Sequence, residues 1–110
     1  MDRDSPLVYI CSKYSGDVVK NTIMARRYSR LAVERGFIPI APHLLLPQFL
    51  SEETERDLAM EMDLGILRHC GELWVCGVIS KGMQKEIDEA ERIGMPVRRI
   101  SEEELNVRNQ

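Results

Sequence analysis

Residues 73–100 read LWVCGVISKGMQKEIDEAERIGMPVRRI, and the order of patterns inside them decides the fold class. Residues 73–76 form a short, uninterrupted apolar run, the signature of a central parallel strand buried on both faces. Residues 77–82 are a loop, residues 83–93 carry helical periodicity, and Gly94 ends that helix. Residues 96–100 return to a strand pattern. A strand, a helix and a strand of this length make a parallel pair joined by a right-handed crossover.

The same alternation extends toward the N-terminus. Residues 7–11 (LVYIC) are rich in strand formers and lie between Pro6 and the polar stretch 12–17 (SKYSGD). Residues 18–35 are helical in pattern: Met24, Ala25, Tyr28, Leu31 and Ala32 share a face, Arg26, Arg27, Arg30 and Glu34 oppose it, and Gly36 follows as a stop. Residues 37–41 (FIPIA) form a second strand. Pro39 cannot donate to a ladder, so that strand belongs at a sheet edge. Residues 42–50 (PHLLLPQFL) are too apolar to lie free in water; they fold back over the core, wall a pocket or meet a second subunit. Ser51 is a natural N-cap for a helix running to about Cys70, with Glu52 and Glu53 near its positive end. Residues 101–104 begin a last helix.

The predicted order is β-α-β-α-β-α-β, which selects an α/β fold with a short parallel sheet of four to five strands between helical layers. Ligands bind such sheets outside the carboxyl ends of the strands, where the strand order reverses. That rule points to residues 12–17, to the segment after Pro42 and to residues 77–82.

Composition narrows the function classes. The chain has 110 residues, enough for one domain over residues 1–110, with 44% hydrophobic and 30% charged residues and a net charge of −3. The negative balance and dispersed basic residues argue against a nucleic-acid polymer as partner. Cys11, Cys70 and Cys76 form no C-x-x-C pair, and His43 and His69 lack zinc-ligand spacing, so three reduced cysteines and a cytoplasmic location are expected, with no cofactor and no metal. Met-Asp-Arg-Asp at the start precedes no apolar region of the kind a secretory leader needs, and no apolar run is long enough to span a bilayer.

Three features invite chemistry. Asp63 falls inside an apolar arc made by Leu58, Ala59, Met60, Met62, Leu64, Ile66, Leu67 and Cys70. A carboxylate there is costly unless paired; it either meets a structural partner such as Arg56 or points into a pocket. Residues 80–86 (SKGMQKE) run from the ligand edge into a helix, whose start offers free N–H groups to an anion. Ser80 adds a hydroxyl, Gly82 permits close approach, and Glu86 follows one turn later; Ser80 as a plain N-cap is the simpler reading of spacing alone. Ser12, Tyr14 and Gly16 in the first loop suit sugar or phosphate contact, but one glycine is far from a dinucleotide fingerprint, and no P-loop is present. His43 follows the second strand and points to the ligand edge.

Taken together, Tyr9-Ile-Cys-Ser with Gly16, Asp63-Leu before the third strand, and Ser80-x-Gly82-x-x-x-Glu86 resemble the nucleoside 2-deoxyribosyltransferase-like superfamily over residues 7–100. The likeness is nearest to its small bacterial and phage domains and to 2-deoxynucleoside 5′-phosphate N-hydrolases. It implies a flavodoxin-like (Rossmann-type) αβα fold and a set of roles. Glu86 is the nucleophile toward the anomeric carbon, Asp63 protonates or positions the departing base, and Tyr9 orients Glu86 or the sugar. Ser80 is typical of the branch that hydrolyses 5′-monophosphates. The resemblance also implies a small-molecule nucleoside or nucleotide as partner and a homodimer or higher homo-oligomer whose subunits complete each other's pocket. The alternatives are a non-catalytic nucleotide-binding or sensor module, and an oligomerising domain built on residues 42–50.

Overall fold

Alternation along the first strand sets the architecture. In the computed structural model, which describes residues 6–107, β1 (Leu7–Cys11) sends Val8 and Ile10 to one face of a sheet and Tyr9 and Cys11 to the other. Both sets are buried, so each face of the sheet needs its own cover of helices.

The elements follow as α1 (Val18–Glu34), β2 (Ile38–Ile40), α2 (Arg56–Leu67), β3 (Glu72–Cys76), α3 (Lys81–Arg92), β4 (Val97–Ile100) and α4 (Glu102–Val107). All strand pairs are parallel, in the order β2-β1-β3-β4. The expected α/β sandwich is present, with four strands among the described residues. β2 occupies an edge, where the missing N–H of Pro39 costs nothing, and β3 is internal, as their compositions require. The order reverses between β1 and β3, and that crevice opens at the strands' carboxyl ends.

One face packs Val8, Ile10, Trp74, Cys76 and Ile100 against Tyr28, Leu31 and Ala32 of α1 and Leu105 of α4. The other packs Tyr9, Cys11, Leu73 and Val75 against Leu67 of α2 and Met83, Ile87 and Ala90 of α3. Trp74 is fully buried, edge-on to Phe37 with ring centroids 5.4 Å apart. All three cysteines are free thiols. No helix among the described residues is long and apolar enough to cross a membrane.

Four expectations need correction. The second long helix begins at Arg56, not after Ser51. Ser51 does cap, but within an isolated turn: its Oγ accepts from Thr54 N–H at 3.3 Å, its N–H donates to Glu55 Oε1 at 2.9 Å, and Glu55 N–H closes the turn on the Ser51 carbonyl at 2.9 Å. That helix stops at Leu67, because residues 68–70 tighten into turns with His69 N–H on the Ile66 carbonyl and Cys70 N–H on that of Leu67. The apolar arc is also narrower than the wheel suggested: Leu58 and Met62 are exposed, and burial centres on Asp63 and Leu67. Finally, α3 begins at Lys81, two residues early, because Ser80 caps it: its Oγ accepts from Met83 N–H at 3.3 Å.

Residues 42–50 are structured. Pro42–Leu44 and Leu46–Gln48 form two 3-10 turns, and Pro42 and Leu46 are buried while Leu45 and Phe49 stay exposed. The segment follows β2 at the carboxyl edge, where Leu46, Pro47 and Leu50 border a small cavity of about 40 Å³ with Ala59 and Asp63 of α2.

Candidate active site

Glu86 stands in the second turn of α3 on the side facing the sheet, and it is 2% exposed. The spacing explains this: Met83, Glu86, Ile87 and Ala90 form one stripe of the helix, so the carboxyl is carried inward with the apolar residues. It meets Tyr9, which projects from the same face of β1; the Tyr9 hydroxyl donates to Glu86 Oε2. Cys11, two residues along the strand and therefore on the same face, has its Sγ 3.9 Å from Glu86 Oε1.

Asp63 reaches the same place from α2 and is 5% exposed. Its Oδ1 has no hydrogen-bond partner. Arg56 is not its partner, contrary to one expectation: the guanidinium donates to Ser15 Oγ at 3.2 Å, tying the first loop to the start of α2. His43 arrives from the 3-10 segment. One ligating atom each of His43, Asp63 and Glu86 lie within 4.8 Å of one another. Three residues that are far apart in the chain thus converge at the edge that the topology singles out.

They face a hollow of about 240 Å³, on which Tyr14, Ser80 and Gly82 also border. The Tyr14 and His43 rings are tilted at 53° with centroids 5.2 Å apart, making one aromatic wall. Met60 and Met83 add apolar surface to the lining. Lys13, Arg56 and Lys81 also line the hollow, the last of these with Gly82 at the start of α3, where backbone N–H groups are free.

Burial governs the electrostatics. It pushes the Glu86 carboxyl up to about 8; the Tyr9 hydroxyl pulls the other way, and the Asp63 charge adds to the rise. It pushes Asp63 up to about 7, helped by Glu52. Burial first, then the Glu86 charge, holds the Tyr9 phenol well above its ordinary range. Burial lowers His43 to about 4, against a smaller pull from the Ser12 backbone, so its imidazole is neutral near pH 7. No lysine or arginine among the described residues forms an ion pair with either buried carboxyl. Burial thus biases both carboxyls toward their neutral forms.

Of the residues singled out in the sequence, Glu86, Asp63, His43, Tyr14, Ser80 and Gly82 border the hollow, and Tyr9 supports Glu86 from behind. Ser12 does not join them. It follows Ile10 in the pleat, so it turns to the α1 side and borders a separate cavity of about 190 Å³ with Tyr28 and Gly77. Gly16, at φ +101°, shapes the loop and sits on a shallow depression next to the hollow. The sequence reading missed Cys11 beside Glu86 and the ring of Lys13, Arg56 and Lys81. Period-two alternation from Tyr9 was a signal for Cys11; nothing local announced that the three cations converge.

Solved structures of two enzymes share this architecture. The 2-deoxyribosyltransferase of Bacillus psychrosaccharolyticus superposes with a TM-score of 0.62 at 20% identity, over 86% of this chain and 72% of that one. The 2-deoxyribosyltransferase of Leishmania mexicana also gives 0.62, at 14% identity, over 87% of this chain but only 64% of its own length. The fold is therefore nucleoside 2-deoxyribosyltransferase-like. No curated protein sequence matches the chain. At the level of sequence family, residues 6–100 match the domain of unknown function DUF7768, and the chain belongs to that family.

Proposed function

We propose that the protein cleaves the N-glycosidic bond of a deoxynucleoside or its 5′-monophosphate through a glycosyl-enzyme intermediate on Glu86. The observation that carries this reading is the pair of buried, uncompensated carboxyls, with atoms within 4.8 Å, at the wall of one sugar-sized hollow. Double-displacement glycosidases hold their two carboxyl groups roughly 5–5.5 Å apart, whereas single-displacement ones need roughly 6.5–9.5 Å to admit water. The approach of one oxygen of Asp63 to one of Glu86 within 4.8 Å favours the former.

In this scheme Glu86 attacks the anomeric carbon as the carbon–nitrogen bond breaks. The bonding electrons pass to the base, and Asp63 donates the proton that the departing base requires. Two carboxyls held in no ion pair also suit the positive charge that develops on the sugar. Tyr9 holds Glu86 in place. Water then attacks the anomeric carbon, Asp63 takes its proton, and Glu86 is released; a second base in place of water gives transfer instead. Tyr14 and His43 offer a face for the base. Lys13, Arg56, Lys81, Ser80 and the N–H groups of Lys81 and Gly82 suit a 5′-phosphate, which favours the monophosphate over the free nucleoside. The similarity in fold to two 2-deoxyribosyltransferases supports the same class of substrate. A homo-oligomer is part of this reading, since Leu45, Phe49, Leu58 and Met62 leave apolar surface exposed.

The test is incubation with mixed deoxynucleosides and their 5′-monophosphates, followed by mass spectrometry of free bases and of the protein. Free base and a deoxyribosyl adduct on Glu86 are expected, and both are absent with Glu86→Gln. A wild-type protein that releases no base across the panel sinks the proposal. A ligand-dependent rise in Tm without product would select a nucleotide-binding module instead.

A further inference from the structure

We propose that the hollow also takes one divalent transition-metal ion, zinc by its chemistry, on His43, Asp63 and Glu86. The three ligands come from the 3-10 segment, α2 and α3, and their mutual separations do not exceed 4.8 Å. Any three points so spaced share a centre no more than about 2.8 Å from each, against the roughly 2.0–2.2 Å of zinc bonds to imidazole and carboxylate. Side-chain movements well under about 1 Å therefore close the site.

An independent observation points to a missing partner. Asp63 is 5% exposed, borders the hollow, and leaves Oδ1 without a hydrogen bond; His43 Nδ1 is likewise buried without one. Buried polar atoms are rarely left in this state unless something else satisfies them. The charges agree as well: two carboxylates lacking an arginine or lysine partner are neutralised by one dication, whereas a monovalent ion leaves half the charge uncompensated. One imidazole and two carboxylates suit zinc better than a hard ion such as magnesium, which prefers an all-oxygen octahedron. The hollow leaves an open position for water or a ligand atom.

Metal binding stands on this geometry alone. Its consequence, that zinc excludes the glycosyl group by occupying Glu86, rests on the function proposed above. The experiment is calorimetric titration of zinc chloride into chelator-treated protein, with circular dichroism of each variant as the folding control. One ion per chain is expected, with affinity reduced more than ~100-fold in Asp63→Asn and in His43→Gln and unchanged in His69→Ala, which removes a surface histidine beside Cys70. A cobalt titration monitored by its visible bands reports the same site spectroscopically. No saturable binding, binding that persists in Asp63→Asn, or binding lost in His69→Ala overturns the proposal. Base release without zinc binding refutes the metal site alone; zinc binding without base release refutes only the glycosyl chemistry.

Discussion

The two faces of the sheet use the same strands for opposite purposes. Toward α1 and α4, the strands contribute Val8, Ile10, Trp74, Cys76 and Ile100, and the core they form is apolar apart from the Tyr28 hydroxyl and the cysteine thiol. Toward α2 and α3 they contribute Tyr9, Cys11, Leu73 and Val75, and at the carboxyl end this core merges into Glu86 and Asp63. Residues adjacent in sequence are therefore divided between holding the fold together and holding buried acids at a cost to it. The lesson is that alternation along one strand suffices to separate a core that only stabilises from one that also carries buried acids.

The sharpest test of that division compares one substitution on each face. Glu86→Gln is expected to lower base release by ~10⁴-fold or more while the protein stays folded, as measured by steady-state kinetics beside thermal unfolding. On the opposite face Trp74→Ala is expected to cost about 3–5 kcal/mol in urea unfolding, with the kcat of the folded fraction unchanged. A fall in kcat with Trp74→Ala, or unfolding of Glu86→Gln, would break the comparison.

Proton linkage gives the next effect. Asp63 and Glu86 have raised values in the folded protein, about 7 and about 8, so the folded state binds more protons than the unfolded chain between about pH 4 and those values. The associated stability is fully present below about pH 4 and is lost as pH rises toward 8. Asp63→Asn removes part of this slope, and it should be more stable than the wild type by about 2–4 kcal/mol at pH 9 and no more stable at pH 4. Equal curves of stability against pH for the two proteins would show that Asp63 is not a destabilising buried acid.

The smallest effect belongs to a residue remote from either core. Asp17 caps α1, its side chain accepting from Lys20 N–H at 3.1 Å. Asp17→Ala should cost about 1 kcal/mol by denaturant titration and leave base release unchanged. A larger loss of activity than of stability would mean that the first loop reports on the hollow through α1.

The legible parts of this molecule were those written in local pattern. Residues 7–11 and 73–76 announced strands through compact apolar runs between breakers, and Pro39 announced an edge. Asp63 was visible because it interrupts an apolar arc at helical spacing, whereas Glu86 stood out only through the resemblance of residues 80–86 to a family motif, since spacing alone favoured a plain N-cap at Ser80. What escaped depended on competition or convergence. The Ser51 cap signal was real but was used by a separate turn, so it misplaced the start of α2. The wheel assigned Leu58 and Met62 to the core because it weighs hydrophobicity and not the position of neighbours. Ser12 was read by its place in a loop, although the pleat carries it to the α1 side. Arg56 belongs to Ser15 through contact between distant segments, and no spacing within one helix encodes that.

The 3-10 wall has a further consequence. Its hydrogen bonds are mostly internal, from Leu44 to Ala41, Leu45 to Pro42, Gln48 to Leu45 and Phe49 to Leu46, whereas the acids stand on long helices anchored to the sheet. The 3-10 segment and the two acids thus stand on separately replaceable parts. A library confined to positions 46, 47 and 50 would reshape the small cavity of about 40 Å³ that these residues share with His43, Ala59 and Asp63, while the lining of the larger hollow stays as it is.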